Sequence, residues 1–83
     1  MEKVKTLNTC YIVICKDSYE TEYWVYETLE EAEEFFRGAV KNALDRDEEE
    51  TDADGRTVEE CVRDGEADFG DLGIVIKTGN LWN

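Results

Sequence analysis

The chain contains no histidine, and its 83 residues include only nine lysines and arginines against 22 aspartates and glutamates. The absence of histidine removes the usual general base near neutral pH and the commonest metal ligand. It also excludes Ser-His-Asp and Cys-His catalytic arrangements. Neither the phosphate-binding motif G-x-x-x-x-G-K-[ST] nor the dinucleotide-binding motif G-x-G-x-x-G is present. No motif therefore specifies a reaction, and we expect a protein that is not an enzyme, has no catalytic residues and binds no cofactor.

Long apolar runs are also missing. None approaches the roughly 18–20 residues needed to span a bilayer, and residues 1–7 lack the apolar core of a secretory signal. The three cysteines are an odd number, which disfavours a disulfide framework. Cys10 and Cys15 also fall on opposite faces of any strand that contains both. We therefore predict reduced thiols in a cytoplasmic protein that does not bind membranes.

Negative charge is concentrated in one segment. Residues 17–71 contain 21 of the 22 acidic residues and five basic ones, a net charge of −16 within a chain total of −13. Such a charge repels itself in the compact state and also repels nucleic acid and anionic lipid, so we expect a function that favours its retention. The hydrophobic content of 41% still predicts one folded domain over residues 1–83.

Three apolar segments predict strands. Residues 9–15 form a continuous run rich in β-branched side chains, which is typical of a central strand buried on both faces. Residues 20–27 predict a second strand, paired with the first as an antiparallel hairpin. Residues 73–77 predict a third strand, also central, and residues 78–83 are expected to form a tail that packs on the body.

Two capping boxes predict where helices begin. In Thr28-Leu-Glu-Glu31 the threonine oxygen accepts from the backbone three residues on and the glutamate reaches back, and Thr57-Val-Glu-Glu60 repeats the pattern. Apolar residues then recur every three to four positions as far as Leu44, which predicts an amphipathic helix of about 16–18 residues. Gly65 is placed to end a short second helix, and residues 45–56 form an acidic connector. The predicted fold class is α+β, a small antiparallel sheet in β-β-α-α-β order, covered on one face by one long and one short helix.

Aromatic residues on the second strand raise the question of nucleic-acid binding. Tyr23, Trp24 and Tyr26 are residue types that stack on bases in RNA-recognition domains, but such domains need a positive groove for the phosphates. The net charge of −13 has the opposite sign. We therefore expect no direct nucleic-acid binding, with core aromatics on the helix side of this strand and an exposed or dimer-forming patch on the other side.

A segment that begins at Glu50 suggests a metal site. Asp52, Asp54 and Gly55 match the third, fifth and sixth positions of the loop D-x-[DN]-x-[DN]-G-x₅-E, so this segment resembles the calcium loop of the EF-hand family. The resemblance implies calcium ligands at Glu50, Asp52 and Asp54. Position twelve, where the family has a bidentate glutamate, is Cys61. A solvated turn with no metal is the competing interpretation, and a weak calcium-binding loop remains a third functional alternative.

Acidic side chains on the long helix lie where helix energetics disfavour them. Glu27 and Glu31, like Glu30 and Glu34, are like-charged pairs four residues apart, and each pair costs a few tenths of a kcal/mol. Asp45 opposes the macrodipole at the C-terminal end. These acids are not explained by the stability of the helix, which favours a role in binding.

Carboxylates one helical turn apart lie roughly 5–6 Å from each other, which is close to the spacing of successive phosphates. In size, charge and lack of catalytic residues the chain resembles small acidic inhibitors, including phage-encoded anti-CRISPR and anti-restriction proteins. The resemblance implies a mimic of nucleic acid that occupies the basic groove of a DNA- or RNA-binding protein. The predicted partner-binding residues are Glu27, Glu30, Glu31, Glu34, Asp45, Asp47, Glu48, Glu49, Glu50, Asp52, Asp54, Glu59 and Glu60.

The alternative is an acidic accessory or structural domain from a halophile-like proteome, in which the charge serves only solvation. The first 16 residues carry +2 and the last 12 carry +1, and proteome-wide acidity gives no reason to spare the chain ends. The inhibitor hypothesis predicts salt-sensitive binding to a basic protein surface, whereas the accessory domain predicts a stability that rises with salt. Either protein is expected to be a monomer or a small homo-oligomer.

Overall fold

The described part of the chain is an α+β fold. The computed structural model describes the backbone of residues 7–82 and the side chains of residues 9–79; residues 1–6, where no secretory signal is predicted, lie outside it. The elements are β1 (Leu7–Asp17), β2 (Thr21–Tyr26), α1 (Leu29–Asp47), α2 (Val58–Asp64), β3 (Glu66–Asp68) and β4 (Leu72–Trp82). The strands form one antiparallel sheet in the order β2-β1-β4-β3. The predicted fold class is confirmed, with one difference: the short β3 changes the element order to β-β-α-α-β-β.

β1 and β2 form the predicted antiparallel hairpin. Asp17 holds the turn between them, because its Oδ1 accepts hydrogen bonds from the backbone N–H groups of Tyr19 and Glu20, both at 2.8 Å. This is the turn chemistry expected of an aspartate that follows a strand. The turn of the hairpin is therefore held by contacts local in the sequence.

β4 is longer than the sequence predicts. It pairs with β1 over 11 residues, from Leu7 opposite Trp82 to Asp17 opposite Leu72. Most of residues 78–83, predicted as a tail, is therefore the end of a central strand. The expected packing of the tail side chains lies outside the described residues. β1 and β4 are the two central strands, as predicted.

Both helices begin at their predicted caps. Thr28 Oγ1 accepts from the N–H of Glu31 at 3.2 Å, and α1 runs for 19 residues to Asp47. The first three residues of the predicted connector, 45–47, are therefore helical. At α2 both bonds of the capping box are formed, and Gly65, in the left-handed conformation with φ of 73°, ends the helix.

The core lies between the helices and one face of the sheet. On α1 the side chains of Ala32, Phe36 and Val40 are fully buried, as the apolar periodicity predicts. They pack against Val13 of β1 and Ile74 of β4. By register Val13 and Ile74 lie on the helix side of the sheet. The core is thus a single layer between helix and sheet.

The second face of the sheet has no helix over it among the described residues. Ile12 and Ile14 alternate with Val13 and so point to this face, where both remain partly exposed. Cys10 lies on the same face and is buried, so the prediction that residues 9–15 are buried on both faces is correct only in part. The Cα trace is only 16 Å deep along its shortest axis, which fits one sheet and one helix layer.

In the described part of the chain, no helix is long and apolar enough to cross a membrane.

Candidate functional site

The surface of α1 opposite the core carries the predicted acidic residues. Glu30 and Glu34 are one helical turn apart and exposed, Glu27 lies just before the N-cap and is exposed, and Asp45 continues the same side near the C-terminus. The apolar stripe that faces the sheet fixes this arrangement, because residues outside the stripe must face solvent. The fold therefore places these acids on one exposed side of the helix.

Arginine side chains neutralise another set of acids. Arg37 Nη2 lies 3.1 Å from Glu59 Oε1 and so connects α1 to α2. Arg46 Nε lies 2.9 Å from Asp47 Oδ1, and this hydrogen bond lowers the pKa of the Asp47 carboxyl. Both ion pairs are in contact with solvent, so they add little to the stability of the fold. Because each carboxylate is paired with an arginine, Asp47 and Glu59 contribute less negative charge to the surface than the sequence suggests.

Arg56 is the centre of a larger ion cluster between the helices and β3. Its guanidinium lies 3.0 Å from Asp52, 3.1 Å from Asp54, 3.5 Å from Asp64 and 3.0 Å from Glu66. Only 14% of the Arg56 side chain is exposed. Burial lowers the pKa of Arg56, but the bonds to Glu66 and Asp52 outweigh it and raise the pKa overall. This arginine is therefore committed to holding the connector against α2 and β3.

Asp52 is buried at the base of this cluster. Its side chain is 0% exposed, and its oxygens accept from the backbone N–H groups of Asp54 at 3.0 Å, Arg56 at 2.8 Å and Asp68 at 3.1 Å. Cys61 Sγ donates to Asp52 Oδ2 at 3.6 Å. Burial raises the pKa of Asp52, but these backbone hydrogen bonds and the charge of Arg56 outweigh it and hold the pKa below its usual range. Asp52 is thus an internal acceptor and not part of an exposed binding surface, which corrects the prediction.

The same contacts bear on the suggested calcium loop. Both Asp52 oxygens are occupied by protein donors, and Asp54 Oδ2 accepts from Arg56 at 3.1 Å. Cys61, which stands where the EF-hand has its bidentate glutamate, is fully buried; burial and the Asp52 charge raise its pKa to about 11. Among residues 9–79 no group of three or more His, Cys, Asp or Glu side chains is placed to hold a metal ion. Glu50, Asp52 and Asp54 therefore do not converge.

One more predicted residue is used within the fold. Glu60 Oε1 accepts from the backbone N–H of Thr57 at 3.0 Å, and the side chain is half-buried in the α2 capping box. By contrast, Glu33 is a residue that sequence reasoning missed: it borders a shallow depression beside the first turns of α1, together with Glu30, Glu31 and Glu34. Glu33 follows Glu30 by three positions, which places the two side chains next to each other on a helix, and this spacing could have identified it from the sequence.

Eight of the predicted carboxylates remain exposed, and no described lysine or arginine lies within 4.0 Å of them. We call this set the acidic face. It consists of Glu27, Glu30, Glu31, Glu34, Asp45, Glu48, Glu49 and Glu50.

The acidic face has two clusters, one at each end of α1. At about 1.5 Å per residue, Glu30 and Glu48 are separated by roughly 27 Å along the helix axis. Arg37 and Lys41 lie between the clusters, and Arg37 is already paired with Glu59. A span of 27 Å matches about eight phosphates along one strand of duplex DNA. No protein-family model, curated protein or solved structure matches this chain.

Proposed function

We propose that this chain is a non-enzymatic cytoplasmic inhibitor that binds the basic surface of a nucleic-acid-binding protein through its acidic face. The carboxylates occupy positions where the partner would otherwise hold phosphates, and the chain itself binds neither nucleic acid nor membrane. In this it would act like the phage-encoded anti-CRISPR and anti-restriction proteins that it resembles in size and charge.

The observation that supports the proposal most is that the arginines pair with some of the acidic residues and not with those of the acidic face. The described arginines pair with acids of the connector, α2 and β3, and no lysine or arginine among the described residues pairs with the acidic face. A surface of uncompensated carboxylates attracts a basic partner over long range and speeds association. The free cysteines Cys10, Cys15 and Cys61 fit a reducing compartment.

The test is competition for a nucleic-acid-binding protein. Proteins of the source cell that bind immobilised duplex DNA or RNA are passed over the immobilised chain, and each one retained is mixed with a labelled duplex of about 20 base pairs. We expect the free chain to displace the duplex, as measured by fluorescence anisotropy. Because the contacts are between exposed charges, raising NaCl from about 50 to about 300 mM should weaken the competition strongly.

Two double variants with the same change in net charge locate the binding surface. Glu30→Gln/Glu34→Gln removes two charges from the acidic face, and Glu20→Gln/Glu22→Gln removes two exposed charges near the β1–β2 turn. At about 0.5–1 kcal/mol for each lost contact, the first variant should compete about 5–30-fold less well, and the second should compete like the wild type.

Equal loss in both variants would show that only total charge matters, and failure of the chain to displace nucleic acid from any retained protein would refute the proposal. The accessory-domain alternative instead predicts no competition at all, together with a melting temperature that rises steeply with salt.

A further inference from the structure

The face of the sheet that points away from the helices is apolar. On this face Val25 of β2 lies opposite Ile12 of β1. Two residues along, Ile14 of β1 lies between Tyr23 of β2 and Val75 of β4. Tyr23 is 64% exposed and Val25 57% exposed. Adjacent apolar side chains on neighbouring strands form a continuous patch, and exposed patches of this kind mark interaction sites on soluble proteins. We call this patch and its border the open sheet face.

The open sheet face also differs from the rest of the molecule in charge. By register it carries Lys16 and Lys77 on the central strands, with Glu66 and Asp68 on β3 at its edge. Because Arg56 also pairs with Glu66 at 3.0 Å, this face has no net negative charge in a chain that carries −13. The acidic face lies on the other side of the molecule, beyond the sheet. The molecule thus has one strongly negative side and one neutral apolar side.

We propose that a second copy of this chain binds the open sheet face, so that two sheets pack against each other in a symmetric dimer. A neutral surface with both lysines and carboxylates is suited to pairing with itself, because a two-fold interface brings the same surface from each copy together. Packed sheets lie about 10 Å apart, and each helix layer lies about 10 Å farther out. The two acidic faces would then be about 30 Å apart, well beyond the Debye length of about 8 Å at physiological salt.

The size of the open sheet face sets the expected affinity. β1 and β4 have 11 residues each, or about 36 Å of strand, and strands lie about 4.8 Å apart. With the shorter β2 and β3 included, the face covers roughly 500 Å² on each copy. Two such faces bury about 1,000 Å², which is the lower limit for a specific interface. We therefore expect a dimer with a dissociation constant in the micromolar range.

The experiment is sedimentation velocity of the full chain from about 2 to about 200 µM. We expect the wild-type protein to shift from the mass of one chain to that of two. Val25→Glu places a charge within the apolar part of the interface, where its burial is unfavourable, and should raise the dissociation constant at least about 30-fold. Asn42→Glu is the matched control: it adds the same charge at an exposed position on α1, and the dimer should persist.

Val25 is exposed in the single chain, so the variant should fold normally, which its circular dichroism spectrum verifies. Tyr23→Glu is a second variant on the same face with the same expected loss. A wild-type chain that stays monomeric at every concentration, or variants that dimerise as well as the wild type, would overturn the proposal.

The effect of salt concentration distinguishes the proposed dimer from the binding of a basic partner. Because the two chains repel each other, salt should strengthen the dimer, whereas it should weaken competition through the acidic face. Val25→Glu should likewise leave competition intact at concentrations where the wild type is monomeric.

Discussion

Replacing Asp52 by alanine is the sharpest test of how the connector is held. The change removes the acceptor of three backbone N–H groups and one of the carboxylates that surround the buried Arg56. The neighbouring carboxylate of Asp54 is 62% exposed and accepts from the Arg56 side chain. We therefore expect a loss of stability well above that of an ordinary surface substitution.

The magnitude follows from the contacts. Removing one partner of a buried ion pair costs about 3–5 kcal/mol, and each buried donor left unpaired costs about 1–3 kcal/mol unless water reaches it. Because part of this cluster lies near solvent, we expect Asp52→Ala to lower the free energy of unfolding by about 3–5 kcal/mol. A domain of 83 residues has about 4–12 kcal/mol in total. The variant should therefore lose at least about a quarter of the total stability of the domain.

Urea denaturation followed by circular dichroism measures the effect, and Asp54→Ala provides the control. Asp54 also bonds to Arg56, but its exposure limits the expected loss to about 1 kcal/mol. If the two variants lose the same free energy within about 0.5 kcal/mol, Asp52 is not the internal acceptor that the geometry indicates.

Low pH should remove the contribution of Asp52 to the free energy of unfolding. Its pKa in the folded state is lowered relative to the unfolded value of about 3.9. A group of this kind adds stability above its unfolded pKa, and that stability is lost as the pH falls through the folded pKa. The difference in unfolding free energy between the wild type and Asp52→Asn should thus be constant from about pH 5 to 7 and shrink below about pH 4. A difference that persists unchanged into strong acid would contradict this.

Two further predictions concern the core and the thiols. Phe36→Ala opens a cavity in a fully buried position and should cost about 3–5 kcal/mol in urea denaturation, and a loss below about 1.5 kcal/mol would show that the α1–sheet core is loosely packed. In the native protein a disulfide reagent should label Cys15, which is partly exposed, and should spare Cys61, which is fully buried with a pKa raised to about 11. Peptide mapping by mass spectrometry distinguishes the two, and equal labelling would contradict the burial of Cys61.

Local sequence was enough to predict both helix starts. Thr28 and Thr57 form caps with atoms only three residues away, so no distant part of the chain is needed to specify them. The end of α1 was harder, because Glu48 adopts the left-handed conformation with φ of 56°. This conformation usually signals glycine, and a glutamate gives no such signal.

Features that depend on distant residues were missed. β3 contains one buried apolar residue, Ala67, and forms because β4 offers it a partner, not because of its own propensity. The burial of Asp52 depends on the N–H of Asp68, 16 residues away. In an acidic stretch, composition alone places Asp52 at the surface along with its neighbours. An aspartate four residues before an arginine was the only local sign of the buried pair.

The register of the two central strands has a consequence for how the protein is made. β1 is synthesised well before β4, with β2, both helices and β3 between them, yet each is the other's partner along 11 residues. Until β4 is complete, the nascent chain can form the β1–β2 hairpin and α1 but holds one edge of β1 unpaired. Closing so distant a pair is slow compared with forming local contacts. Folding of the sheet is therefore completed only after β4 has been synthesised, and a chain that stops before β4 leaves an open strand edge that favours aggregation.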